Sequence, residues 1–200
     1  MDRNNIGNTD ESGKHIDEIL DEIHPIPAES KYAISQLTRE VSFPKGYILL
    51  KANKIETSIY LVKKGIVRAY SDLDGNDITF WFGQEGDPVI SMKSYVSNQK
   101  GYEDIELLED CTFYELKISD LQNLYLKDIH IANWGRRFAE KELIKTEERL
   151  ISRQFRPAID RYKDLLNDHP DLVQRVPLGH IASYLGITQV SLSRVRAELR

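Results

Sequence analysis

Three polar residues near the end of the sequence have the chemistry needed to recognise DNA bases. Gln189, Ser191 and Arg194 lie within "TQVSLSRVR", in the first turns of a predicted helix. A glutamine side chain can form two hydrogen bonds with adenine, an arginine can donate two to guanine, and a serine can bond to a base or to a phosphate. The candidate DNA-contacting residues are Thr188, Gln189, Val190, Ser191, Arg194 and Arg196.

These side chains can enter a DNA groove only if a second helix holds the first in place. Ala182 is small where two helices would cross, Gly186 tolerates a left-handed turn, and the Thr188 hydroxyl can cap the second helix. Apolar residues recur where they would pin the two helices together. The predicted framework is Ile181, Ala182, Leu185, Gly186, Ile187, Leu192 and Val195. A plain helical hairpin is the alternative, and the combination of features favours a helix-turn-helix.

The charge of the chain is unusual for a protein that binds DNA. The formal net charge is −5, so no overall basic field attracts nucleic acid. Positions 175–200 nevertheless contain four arginines (Arg175, Arg194, Arg196 and Arg200) and one acid, Glu198. We therefore expect any contact with DNA to depend on this local basic patch.

The composition is that of an ordinary globular chain, with 40% hydrophobic and 30% charged residues among 200. No apolar run approaches the roughly 18 to 20 residues that cross a bilayer. The first residues, "MDRNNIGNTDESGK", have no apolar core and do not form a secretory signal. We therefore expect a cytoplasmic protein with no membrane partner.

In the middle of the sequence, strand-like runs and turns alternate at the spacing typical of an all-β domain. From Val41 to Leu116, short runs rich in β-branched and aromatic residues alternate with turn signals about every ten residues. Asp74-Gly75 is a good hairpin turn, because glycine readily takes a positive φ. About eight such runs fit, which favours a jelly roll.

The histidine and cysteine content argues against chemistry in that barrel. A jelly-roll enzyme would need two or three imidazoles and a carboxylate for its metal, and no histidine lies between His24 and His130. Cys111 is the only cysteine, so no internal disulfide or four-cysteine iron–sulfur site can form. It is expected to be a buried apolar residue, with redox sensing as the alternative. We therefore predict a protein that is not an enzyme and has no metal and no cofactor.

A long helix is predicted between the barrel and the terminal motif. Apolar residues recur at helical spacing from position 131 to position 150, where no proline interrupts them. At roughly 25 residues, or about 38 Å, this helix is longer than a small barrel can cover. It is predicted to form a homodimer, with packing along the barrel wall as the alternative. The predicted interface residues are Ile131, Trp134, Phe138, Leu143 and Leu150.

The predicted fold class is α+β, and four segments follow from these patterns. Residues 1–14 are a disordered lead-in, and 15–118 are short N-terminal helices with a β jelly-roll barrel. Residues 119–156 are the dimerisation helix and hinge. Residues 157–200, which begin at Pro157, are a small helix-turn-helix domain.

Together these features resemble the Crp/Fnr family of bacterial transcription regulators. The resemblance rests on "FPKGYIL", "IYLVKKGIVRAY" and "DLDGNDITFWFGQEGD" in the barrel and on "RVPLGHIASYLGIT" in the terminal motif, in a form similar to the Bacteroidetes branch. It implies a cyclic-nucleotide-binding-type barrel, a homodimer on double-stranded palindromic DNA, and RNA polymerase and a small effector as further candidate partners. A sensor or interaction module that does not act through DNA is the alternative.

The resemblance also assigns positions in the second helix of the motif. Gln189 and Arg194 stand where the family often has base- or phosphate-contacting residues. Val190 is a departure, because many members have a glutamate there that accepts a hydrogen bond from cytosine. A valine can instead contact a thymine methyl group, so we expect a different operator. Many members continue into a small β wing beyond this helix, where the printed sequence ends at Arg200.

The expected cyclic-nucleotide cassette is altered. Family members that bind the nucleotide have a Gly-Glu pair and, some ten residues later, an Arg-Ser pair that holds the phosphate. Here the second pair is replaced by Tyr102-Glu103-Asp104, whose carboxylates would repel a phosphate. We therefore expect a different effector, or none, rather than cyclic AMP. The candidate effector-pocket residues are Gly86, Asp87, Ser91, Lys93 and Tyr102.

Overall fold

A computed structural model of the chain describes residues 13–73 and 75–199. Most of the predicted disordered lead-in, together with Asp74 of the predicted turn and Arg200 of the basic patch, lies outside the described residues. Lys14, at the end of that predicted lead-in, donates its backbone N–H to the Lys63 carbonyl at 3.0 Å. This hydrogen bond joins the end of the predicted lead-in to the rest of the chain.

The barrel is a jelly roll of eight strands, as the turn spacing predicts. The strands are β1 (Thr38–Phe43), β2 (Ile48–Leu50), β3 (Ser58–Lys64), β4 (Val67–Leu73), β5 (Asn76–Gly83), β6 (Pro88–Val89), β7 (Asp104–Leu107) and β8 (Cys111–Lys117). They form two four-stranded antiparallel sheets, in the orders β1-β8-β3-β6 and β2-β7-β4-β5. Gly75 takes a φ of 80° between β4 and β5, where Leu73 pairs with Asn76, so the predicted hairpin is confirmed.

Nine helices are present in the described part of the chain. They are α1 (Ile16–Ile23), α2 (Ala28–Ser35), α3 (Met92–Ser97), α4 (Ile118–Tyr125), α5 (Ile129–Phe155), α6 (Ala158–Asp168), α7 (Pro170–Arg175), α8 (Leu178–Leu185) and α9 (Gln189–Glu198). Within these ranges, no helix has both the length and the apolar character needed to cross a bilayer.

Helix α5 has 27 residues and extends about 40 Å. It starts where the Asp128 carboxylate accepts hydrogen bonds from the His130 and Ile131 N–H groups. It ends before Pro157, which initiates α6. The long helix predicted from the apolar spacing is therefore present, with a short separate helix, α4, before it.

Three apolar clusters hold the chain together. One lies between the two sheets, around Phe113 and Leu107. A second joins α1 and α2 to the barrel and to the first turns of α5, around Leu20 and Trp134. The third contains the cores of α6–α9 together with Ile66, Phe82 and Leu108 of the barrel. This third cluster attaches the C-terminal helices to the barrel.

Candidate nucleic-acid interface and ligand cavity

Helices α8 and α9 form a helix-turn-helix whose turn follows directly from its sequence. Gly186 ends α8 with φ 68° and ψ 34°, a left-handed conformation that strains residues with a Cβ. The next N–H, from Ile187, donates to the Ala182 carbonyl at 3.0 Å. Thr188 then starts α9, its hydroxyl accepting from the Ser191 N–H at 3.1 Å. The left-handed turn and the threonine cap are both confirmed.

The inner faces of the two helices pack as one core. Ile181, Ala182, Leu185 and Leu192 are buried, and Ile187 and Val195 are half-buried against them. Tyr162 and Leu165 of α6 complete this cluster. Because α9 is held along one side, its opposite side is fixed in orientation and faces away from the protein.

That opposite side of α9 is mostly polar. Thr188, Gln189, Val190 and Arg194 are exposed, whereas Ser191 and Arg196 are half-buried. The Ser191 hydroxyl lies 2.9 Å from the Thr188 hydroxyl, so it takes part in the start of the helix as well as facing outward.

Ser193 is also exposed on this side, although the sequence interpretation did not select it. Its position four residues after Gln189 is the signal that could have identified it. Its hydroxyl donates to the Gln189 carbonyl at 3.0 Å.

Arg161 joins the helix-turn-helix to the end of the long helix, a role that no sequence pattern indicated. Its guanidinium donates to the carbonyl of Leu185, at the end of α8, at 2.7 Å. It also donates to the carbonyls of Arg153 and Arg156, at the end of α5. One side chain therefore satisfies carbonyl groups at the ends of two helices and fixes their relative position.

The helix-turn-helix also contacts the barrel directly. The Ser183 hydroxyl accepts from the Thr79 N–H at 2.9 Å and donates to the Asp77 carbonyl at 3.0 Å. The Phe82 and Tyr184 rings pack with centroids 5.2 Å apart. These contacts place α8 against strand β5.

Arg175 of α7 forms an ion pair with the barrel carboxylates Glu85 and Glu109. Burial raises the pKa of Glu85, but hydrogen bonds from Arg175 and from the Gly65 N–H outweigh it, and the net pKa is lowered. Arg175, which the sequence interpretation counted in the basic patch, is therefore neutralised by the barrel rather than free to contact DNA.

A cavity of about 450 Å³ lies between the sheet β2-β7-β4-β5 and helix α5. Its walls are largely apolar, and Glu103, Glu142 and Arg149 are its charged lining residues. Of the predicted pocket residues, Tyr102 lines this cavity. Ser91 is buried, and the Lys93 ammonium lies 5.4 Å from the centre of the Tyr102 ring.

Gly86 and Asp87 lie at a different site from the other predicted pocket residues. They line a charged cavity of about 280 Å³ together with Lys14 and Lys145. Burial raises the pKa of Asp87. The structure therefore divides three of the predicted pocket residues between two cavities, and Ser91 and Lys93 line neither of them.

Cys111 is buried in the barrel. Burial, followed by the nearby Glu109 carboxylate, raises the pKa of its thiol to about 12. The described residues contain no group of three or more side chains able to hold a metal ion. The geometry thus favours the apolar role of Cys111 over redox sensing, because the thiolate is the reactive form.

Comparison with known proteins assigns the architecture. The family model described as "Cyclic nucleotide-binding domain" matches residues 40–128, slightly less than half of the chain. No curated protein has a matching sequence. Among solved structures, FixK2 from Bradyrhizobium japonicum is 22% identical with a TM-score of 0.73, over 81% of this chain and 84% of that chain.

Two further structures match over most of both chains. The c-di-GMP-responsive global regulator CLP of Xanthomonas campestris is 17% identical with a TM-score of 0.68, over 86% of this chain and 91% of that chain. A putative transcriptional regulator of the Crp/Fnr family from Eubacterium rectale is 17% identical with a TM-score of 0.68, over 87% and 85%. The chain has a Crp/Fnr-type fold.

Within this Crp/Fnr-type fold, the predicted dimer residues of α5 separate into two groups. Ile131 and Trp134 are buried inside their own chain, and the Trp134 indole donates to the Leu20 carbonyl at 3.0 Å. Phe138 is half-buried and stacks on Trp134. Leu143 and Leu150 are exposed. Ile131 and Trp134 pack in the cluster with α1 and have almost no surface left for a partner, which corrects their assignment to an interface.

Proposed function

We propose that this chain is a sequence-specific DNA-binding transcription regulator of the Crp/Fnr type. The observation that carries the proposal is the outward side of α9, where Gln189 and Arg194 are exposed while Leu192 pins the helix from behind. The major groove of B-DNA, about 12 Å wide, accepts an α-helix. Hydrogen-bonding side chains on a helix with a fixed orientation are what base recognition requires.

The functional roles of the α9 residues follow from their exposure. Gln189 and Arg194 contact base edges, and the Val190 side chain, which is 64% exposed, contacts a thymine methyl group. Thr188, Ser191 and Arg196, at the start and along the flank of α9, contact phosphates. The motif "RVPLGHIASYLGIT" supports assignment to the Bacteroidetes branch.

The proposed regulator is a homodimer that acts in the cytoplasm, with RNA polymerase as a further partner. Support for the dimer comes from apolar side chains on the second half of α5 that no other described residue covers. This exposed row consists of Leu143, Ile144, Leu150, Ile151 and Phe155. Two α5 helices packed through the exposed row would give a two-fold symmetric protein. Its two α9 helices would then meet a palindrome with half-sites about 34 Å apart.

The effector is proposed to be a molecule other than cyclic AMP. Glu103, at the position where a nucleotide-binding cassette needs a phosphate-binding group, is buried at the cavity wall. A buried carboxylate repels a phosphate, and Arg149, the one cation among the described lining residues, already donates to the Phe80 carbonyl. The effector of the proposed regulator, which is not an enzyme, therefore differs from that of nucleotide-binding members.

Arg194 provides the first test of the DNA interface. We expect Arg194→Ala to weaken binding to a selected operator by about 1–3 kcal/mol and to relax the preference at one base pair, because one bidentate contact is lost. Fluorescence anisotropy with the selected operator and its single-base variants measures both effects.

Lys127→Ala is the matched control for this experiment, because it removes one positive charge from an exposed site on the α4–α5 connection. Equal losses for every operator variant would make Arg194 a phosphate contact. If Arg194→Ala binds the operator as tightly as the unmodified protein does, Arg194 does not contact DNA.

A further inference from the structure

The cavity between the barrel and α5 has the size of a small-molecule site. Its volume of about 450 Å³ falls within the ~300–1,000 Å³ of most ligand pockets. Strands β4, β5 and β7 form its floor, and helix α5 closes one side. The site is therefore shaped by both the barrel and the proposed dimerisation helix.

The walls of this cavity are apolar and aromatic. Phe80, Trp81 and Tyr102 all line it, and the Phe80 and Tyr102 rings lie 6.1 Å apart. Ile105 and Phe138 add aliphatic and aromatic surface. Such walls favour an apolar ligand, and aromatic faces also attract a positive charge through their ring electrons.

Two of the three charged residues that line the cavity are already paired within the protein. Arg149 donates to the Phe80 carbonyl at 3.1 Å and to the Thr146 hydroxyl at 3.3 Å. Glu142 accepts from the Lys145 ammonium at 2.8 Å. Glu142 therefore has a counter-ion in the protein, and the Arg149 guanidinium is held by neutral acceptors.

Glu103 is the exception. Its side chain is buried, and one carboxylate oxygen, Oε2, accepts from the Tyr102 N–H at 2.9 Å. The other, Oε1, accepts no hydrogen bond from any residue that the structure describes. No cation forms an ion pair with Glu103 in this part of the chain. A buried carboxylate without a cationic partner is costly, so a cation in the cavity would be stabilised there.

A second unpartnered group lies near the Glu103 carboxylate, behind the cavity lining. The Ser91 hydroxyl is buried and has no hydrogen-bond partner among the described residues. A methyl group added to Gly101 would lie 2.6 Å from Ser91 Oγ and 3.1 Å from Glu103 Oε1. The two oxygens therefore approach one point, which the glycine leaves free of side-chain atoms.

We propose that this cavity binds an organic ammonium ion with an apolar, ring-sized body. The ammonium group donates to Glu103 Oε1, and the apolar body packs between Trp81, Tyr102 and Phe138. Lys145 offsets Glu142, which leaves Glu103 as the lining carboxylate without a cationic partner among the described residues, and a positive charge on the ligand supplies one. An anionic ligand of the same shape is disfavoured.

This site connects to the proposed function through α5. Leu143 lines the cavity and also belongs to the exposed row. A ligand in the cavity would therefore contact the helix through which the dimer forms. Its action as an effector rests on the proposed function, whereas its binding does not.

The test is isothermal titration calorimetry of the full chain with two probes that share a phenyl ring and an ethylene linker. 2-Phenylethylamine carries a positive charge and 3-phenylpropionate a negative one. We expect the amine to bind at least tenfold more tightly than the acid. Glu103→Gln, which keeps the shape and can still accept from the Tyr102 N–H, is expected to weaken the amine about tenfold or more.

Glu148→Gln is the matched control, because it removes the same charge from an exposed position on α5 outside the cavity lining. It should leave the affinity for the amine unchanged. The proposal is overturned if the acid or cyclic AMP binds as tightly as the amine, or if both variants behave alike. It is equally overturned if ~10 mM amine gives no binding heat, since even millimolar affinity would then be absent.

The titration contains no DNA, so its result is independent of whether the chain binds an operator. A separate anisotropy titration with and without the amine measures regulation. If the amine binds but operator affinity does not change, the ligand site stands and only its regulatory role is lost.

Discussion

Leu150→Glu is expected to convert the protein to a monomer at micromolar concentration and to abolish tight operator binding. Leu150 lies in the exposed row and occurs twice in a two-fold dimer, so two carboxylates would be buried at one apolar interface. One unpaired buried charge costs about 3–5 kcal/mol, which corresponds to a loss of dimer affinity of at least about 100-fold. Sedimentation velocity measures the association state, and anisotropy measures operator binding.

Asn123→Glu is the control for the dimer experiment, because it adds the same charge at an exposed position on α4, outside the exposed row. It should remain a dimer with unchanged operator affinity. If Leu150→Glu sediments as the unmodified protein does, the exposed row is not the interface.

Trp134→Ala is expected to lower the free energy of unfolding by about 3–5 kcal/mol, through the loss of a large buried side chain. The Trp134 side chain is 2% exposed, packs between α1 and the barrel, and holds the Leu20 carbonyl by its indole N–H. Urea unfolding at one fixed protein concentration measures the change.

Trp134→Phe separates packing from the hydrogen bond in this experiment. It keeps an aromatic ring but removes the indole donor, so a smaller loss of about 1–2 kcal/mol is expected. Trp134 would instead belong to the interface between subunits if Trp134→Ala weakens dimerisation without changing the free energy of unfolding of each chain.

Much of the fold could be predicted because local sequence determines it. Turn residues about ten apart limit strand length, so the eight-stranded jelly roll follows from their count. Gly186 and Thr188 impose the turn and the cap of the helix-turn-helix by their own conformational preferences. The end of α5 follows from Pro157 for the same reason.

The role of Trp134 could not be predicted, because helical spacing shows that a face is apolar but not what covers it. Its partner, Leu20, is 114 positions away in the sequence. The apolar pattern of α5 also continues past the point where α1 stops covering it. The apolar pattern is therefore continuous along α5, although its first half is buried and its second half is exposed.

The predicted effector pocket combined residues of two separate cavities for a similar reason. Gly86 and Tyr102 are close in sequence, but β6 and α3 lie between them and direct them to different cavities. The acidic residue at position 103 is predicted from the sequence to repel a phosphate, and this stays a prediction. Its burial beside an unpartnered Ser91 hydroxyl depends on tertiary contacts and required the structure.

Selection of DNA from a random double-stranded pool by the full chain tests the central claim most directly. We expect the enriched sequences to share a palindrome with half-sites about 10–10.5 base pairs apart, bound by two chains per duplex, with an affinity that falls steeply with salt. A pool that stays random after repeated rounds would contradict the proposed function. So would enrichment of sequences without two-fold symmetry, bound by a single chain.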